Sequence, residues 1–145
     1  MNAIDFLIKE HRQVKQTLAD ISDKSHREDT KKKMFDSLCH DLIRHETMEH
    51  QVWYPHFKND KRLNETVRHL LSEEKSAEKA IKQFEKVETQ KEWEEKFSKF
   101  KQAVEHHAHE EEHKLFPEVK KLLSEAQLEK IGKAMHEFKT NYRAA

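Results

Sequence analysis

At 145 residues, 34% hydrophobic and 39% charged, the chain fits one domain with a real core, and no apolar stretch approaches the length of a membrane span. Lys plus Arg and Asp plus Glu number 28 each, which leaves neither a basic field for nucleic acid nor an acidic tail. One cysteine, Cys39, excludes an internal disulfide and fits a reducing compartment, and no signal-peptide core follows Met1, so a cytoplasmic location is expected.

Apolar positions at helical spacing predict four long helices and one shorter one. The first, over about residues 3–22, carries Ile4, Leu7, Val14, Leu18 and Ile21 on one stripe. The second, over about 30–54, carries Phe35, Leu38, Leu42 and Val52. The third, over about 64–87, carries Val67, Leu70, Ala77, Ile81 and Phe84. The fourth, over about 91–116, carries Trp93, Phe97, Phe100, Val104 and Leu115. The fifth, over about 125–142, carries Leu128, Ile131, Met135, Phe138 and Tyr142, with Ser124 and Gln127 spaced as a capping box at its start.

Short polar links around 24–29, 58–63 and 89–90 make consecutive helices antiparallel neighbours. The expected fold is therefore all-α: an up-down-up-down antiparallel four-helix bundle with an additional C-terminal helix. One domain, 1–145, is expected, with a core bundle over about 3–120 and the extra helix over about 124–143.

Twelve histidines in a chain of this size call for a physical reason. The apolar stripes are interrupted by His11 in the first helix, His45 and Glu49 in the second, Glu74 in the third, and His107 and Glu111 in the fourth. Burying that many ionisable groups unpaired would cost on the order of several kcal/mol each. Three imidazoles and three carboxylates facing one another instead suit a metal cluster. One ligand from each of two helices, with a His/Glu pair from each of the others, is the arrangement of two-metal carboxylate bundles. The i, i+4 spacing sets each pair on one face, a turn apart.

An internal repeat supports the pattern. His45 and Glu49 precede Trp53-Tyr54-Pro55, as His107 and Glu111 precede Leu115-Phe116-Pro117. Glu10-His11 aligns with Glu73-Glu74, and the intervals His11 to His45 (34 residues) and Glu74 to His107 (33) agree. Two similar hairpins would place two metals symmetrically. His106 lies one residue off the stripe and is the nearest rival to His107; Glu46, His26, His56 and His69 are further candidates, His56 as a residue lining an opening to the site. Trp53, Tyr54, Leu115 and Phe116 read as core caps over the site, and Cys39 as a small core residue. His50 reads as solvent-facing.

Over about residues 3–120 the chain resembles the hemerythrin-like, HHE cation-binding family. The resemblance implies ligand roles for His11 and for the two His-x-x-x-Glu pairs. It also exposes a departure: Glu74 stands where the family has histidine, giving three imidazoles and three carboxylates against the five histidines and two carboxylates of oxygen carriers. Mixed imidazole and carboxylate ligation suits iron, with manganese or zinc as alternatives. The expected cofactor is two iron ions, bridged by Glu49, Glu111 and oxo or hydroxo groups. O2, NO or peroxide are the expected small ligands. An oxidoreductase handling iron, peroxide or NO is an alternative, as is a helical interaction module with a metal-free or zinc-filled seam. Neither a nucleic acid nor a membrane partner is expected, and no protein partner is legible.

Overall fold

The structure, a computed structural model, describes residues 1–143. Six α-helices follow one another: α1 (Ala3–Ser22), α2 (Glu28–Met48), α3 (Asn64–Gln83), α4 (Gln90–Glu110), α5 (Phe116–Leu122) and α6 (Glu125–Asn141). The first four long helices form the up-down-up-down bundle, and α6 is the additional C-terminal helix. No strand occurs among the described residues.

Local chemistry sets several of the helix starts. Asn2 caps α1, its Oδ1 accepting from the Asp5 amide at 2.9 Å, and Thr89 caps α4 by accepting from the Glu92 amide at 3.1 Å. The predicted capping box of α6 is present: Ser124 Oγ accepts from the Gln127 amide at 3.2 Å, and Gln127 Oε1 accepts from the Ser124 amide at 2.7 Å. The N-cap residue of α2, Arg27, makes no side-chain cap, and the acidic Glu28 and Asp29 sit against the positive end of the helix dipole instead.

Each of the two repeated motifs ends in a π-helical turn, over Glu49–Trp53 and Glu111–Leu115. The amide of Tyr54 donates to the Glu49 carbonyl, and that of Phe116 to the Glu111 carbonyl, five residues back in each case. The cause lies one residue on. Pro55 and Pro117 have no N–H, and each ring clashes with the carbonyl four residues earlier, so the helix widens ahead of them. The extra residue in the turn also shifts the helical phase. Trp53 and Tyr54 are fully buried while Val52, which the stripe put inward, is only partly covered. Beyond the predicted end of the fourth helix near residue 116, the chain continues through Pro117 as α5.

The apolar core is in two parts. One gathers Ile4, Leu7, Trp53, Leu70, Leu115 and Met135 with their neighbours, and it includes the inner face of α6. The other gathers Leu18, Phe35, Leu38, Trp93, Phe97 and Phe100. Between them lies a polar layer made of the residues that interrupt the stripes. Close packing of α6 depends on Gly132: a Cβ there would stand 2.3 Å from the Met1 carbonyl oxygen and 2.9 Å from the Ala3 nitrogen. No helix among the described residues is long and apolar enough to cross a membrane.

Candidate metal centre

All six residues that break the stripes meet in the polar layer. Glu49 and Glu111 are fully buried; Glu74, His11 and His45 are buried, and His107 is nearly so. Two groups of potential ligand atoms form there: His11, His45 and Glu111, and Glu49, Glu74, His107 and Glu111. Glu111 belongs to both. Its Oε1 lies 3.8 Å from His11 Nε2 and its Oε2 3.5 Å from His107 Nε2, so one carboxylate spans imidazoles of the two hairpins. Glu49 Oε1 lies 3.1 Å from His45 Nε2, and Glu74 Oε2 lies 3.3 Å from His107 Nε2.

Each of the three imidazoles is held by its other nitrogen. Nδ1 of His11 contacts Glu112 Oε2 at 2.8 Å, that of His45 contacts Glu10 Oε1 at 2.8 Å, and that of His107 contacts Glu73 Oε1 at 3.0 Å. An ionised carboxylate only accepts, so Nδ1 must carry the proton and donate. In the neutral ring Nε2 then keeps its lone pair and faces the centre. A carboxylate behind an imidazole in this way fixes the tautomer and ring orientation of a metal-binding histidine. Glu10, Glu73 and Glu112 were not among the sequence candidates, although the alignment of Glu10-His11 with Glu73-Glu74 carried the signal for two of them.

The carboxylates carry further contacts. Tyr54 donates its hydroxyl proton to Glu74 Oε2 at 3.1 Å and to Glu111 Oε2 at 3.4 Å, so it does more than cap the site. His50, half exposed, contacts the other Glu74 oxygen at 2.8 Å and is not the purely solvent-facing residue its helical phase suggests. Glu46 faces the neighbouring cavity, with one oxygen lacking a partner. The remaining candidates stay outside: His69 and His106 are exposed on the outer face of α3 and α4, His56 is exposed, and His26 sits in the turn between α1 and α2.

The electrostatics are those of a centre short of positive charge. Burial, reinforced by the Glu74 charge, pushes the Glu49 carboxyl well up, and burial with the Glu49 charge does the same to Glu111. Burial works against the charged form of His107, yet its contacts with Glu74 and the Glu111 charge prevail and raise it to about 9. Burial also opposes the ionised form of Glu74, but the neighbouring His107 imidazole and the hydrogen bond from His50 bring it down to about 2. His11 is lowered, burial outweighing Glu112. Burial, then Glu74, lift Glu46 to about 9.

Both oxygens of Glu49, Oε1 of Glu111 and Nε2 of His107 are buried without a hydrogen-bond partner among the described residues. Orphaned acceptors of this kind are costly in a folded interior and are the atoms that cation binding would satisfy. The donor set therefore fits metal.

The sequence matches the family described as Hemerythrin HHE cation binding domain over residues 2–119. The chain belongs to that family. Comparison with curated proteins finds no match. Among solved structures, the HHE domain is similar to that of a hemerythrin HHE cation-binding domain-containing protein from Mycobacterium kansasii, with a TM-score of 0.83 and 24% identity over 97% of this chain and 86% of that one. That likeness bears on the helical fold. Family membership supports cation binding by this HHE domain, and the His/Glu groups of the polar layer are able to hold it.

Proposed function

We propose that this chain binds two iron ions in its polar layer and uses them to bind or respond to a small ligand such as O2, peroxide or NO. The observation that carries the reading is Glu111, whose two oxygens face His11 and His107 from opposite hairpins. In this reading His11, His45 and Glu111 would hold one ion and Glu49, Glu74, His107 and Glu111 the other. Bound iron supplies open coordination positions and a ferrous/ferric couple.

The protein's own groups do the rest. Glu112, Glu10 and Glu73 orient the three imidazoles, and the Tyr54 hydroxyl holds Glu74 and Glu111 in place. Burial and the surrounding carboxylates push the Tyr54 phenol well above its usual range, so it remains a proton donor. Trp53 and Phe116 pack edge to face, and the Phe116 ring lies parallel to that of His11. A cavity of about 50 Å³ is lined by His11, His45, Glu74 and His107 together with Leu42 and Val104. A space of that size holds a few atoms, not an organic substrate.

Glu74 favours the other roles over carriage. A carboxylate in place of imidazole makes the site harder and more anionic, which stabilises ferric iron and works against reversible O2 carriage. Sensing, detoxifying or buffering of iron, O2, peroxide or NO follows. A chain acting as one 1–145 unit is part of the same proposal.

Elemental analysis of protein produced in iron-containing medium, with optical spectra of its oxidised form, tests the reading. About two irons per chain and near-ultraviolet charge-transfer bands are expected. A chain that retains helicity but less than one metal overturns it, and a reduced form that releases O2 intact overturns the ranking of the other roles above carriage.

A further inference from the structure

A second cluster of ligand-type side chains lies outside the polar layer, on the surface shared by α3 and α4. His69 Nε2 is 3.1 Å from Glu110 Oε2 and 3.4 Å from Glu73 Oε2. His106 Nε2 is 3.5 Å from the same Glu73 oxygen and also contacts Glu110 through its other oxygen. His69, Glu73 and Glu110 each offer an atom to one small volume. Both imidazoles are exposed, whereas Glu110 is buried at 7% side-chain exposure and Glu73 is four-fifths covered.

Composition separates this cluster from an ordinary solvated acidic patch. Two imidazoles and two carboxylates, from two helices, suit a borderline divalent cation. The two histidines are exposed and free to adjust, while the two glutamates are fixed by the packing of α3 on α4. Glu73 is also held from behind, since its Oε1 already accepts from His107 Nδ1 at 3.0 Å. Lys114 is a competing charge beside the group, with Nζ 3.6 Å from Glu110 Oε2 on a largely exposed side chain.

We propose that His69, His106, Glu73 and Glu110 form a surface site for a divalent transition-metal cation, separate from the buried centre and joined to it through Glu73. One Glu73 oxygen serves the outer cation while the other holds His107, so outer occupancy bears on the orientation of an inner imidazole. The site does not depend on which metal the interior takes.

Zn2+ alone is the probe. Equilibrium dialysis of the metal-free full chain counts bound Zn2+ in the wild type and in His69→Ala/His106→Ala, whose exposed positions leave the fold intact. The double variant is expected to bind one equivalent fewer, whatever the total. Equal counts overturn the proposal. The total speaks separately to the interior, because a variant at His11 and His45 lowers it without removing the outer equivalent. Lys114→Met is expected to tighten the outer equivalent by about two- to five-fold, the range of an exposed ion pair, and a weaker outer site in that variant counts against the assignment. A second measurement needs no variant: anomalous diffraction at the zinc edge from wild-type crystals grown with Zn2+ should give a peak between His69 and His106, and its absence at saturating Zn2+ overturns the site.

Discussion

Glu10 and Glu73 occupy equivalent places in the two hairpins, each accepting from Nδ1 of the histidine that opens the next helix's motif. Glu10 reaches His45 at 2.8 Å and Glu73 reaches His107 at 3.0 Å. The pairs are separated by 35 and 34 residues in the chain. Glu10 is further anchored by Lys139 of α6, at 2.9 Å, so the C-terminal helix takes part in holding the first hairpin's imidazole.

Removing either carboxylate should weaken metal retention without unfolding the bundle. Glu10→Gln and Glu73→Gln are each expected to lower affinity by about 10- to 100-fold. Competition against a chelator of known strength measures it. Unchanged affinity in both would mean that the carboxylates orient nothing of consequence.

Tyr54→Phe keeps the aromatic packing against Phe57 and deletes only the hydroxyl. Two buried carboxylates then lose a donor, which should destabilise the protein by roughly 1.5–3 kcal/mol. Thermal melts of the variant should show a Tm lower by several degrees. An unaltered Tm would show that the hydroxyl makes no net contribution in that position.

Gly132→Ala separates two opposed effects. Helix propensity alone would favour alanine by about 1 kcal/mol. Here the added methyl meets the backbone of Met1–Ala3, so a net loss of about 1–3 kcal/mol from overpacking is expected. Calorimetry decides by sign: a raised Tm contradicts close approach of the N-terminal segment to α6.

Cys39 is buried and unpaired in the apolar half around Phe35 and Leu38. Burial, with the Asp36 charge, pushes its thiol up to about 12. Since the folded value lies above that of the unfolded chain, this group's stabilising effect is complete below about pH 8.5 and is lost as pH rises toward 12. At pH 8 an aromatic disulfide reagent should react with the folded protein on the order of a thousandfold more slowly than with the unfolded chain. Comparable rates would contradict the burial.

Much of this architecture is legible in the sequence because it rests on periodicity. The interruptions at His11, His45, Glu49, Glu74, His107 and Glu111 mark an interior layer, and the structure brings those six side chains together. Glu10, Glu73 and Glu112 are less visible: glutamates are abundant on every helix, and reaching an imidazole on another helix depends on interaxial packing that spacing does not encode. Val52 turns partly outward for a different reason. A uniform 3.6-residue period cannot anticipate the π turns, although Pro55 and Pro117 supply their cause.

The polar layer also divides the hydrocarbon interior into two compartments. Denaturation can therefore begin on the side of Phe35 and Trp93 without at once reaching the side that α6 seals, and amide exchange should be fastest in that unsealed half. Whatever joins the four helices across the partition acts as a clasp, coupling the two halves into one cooperative unit.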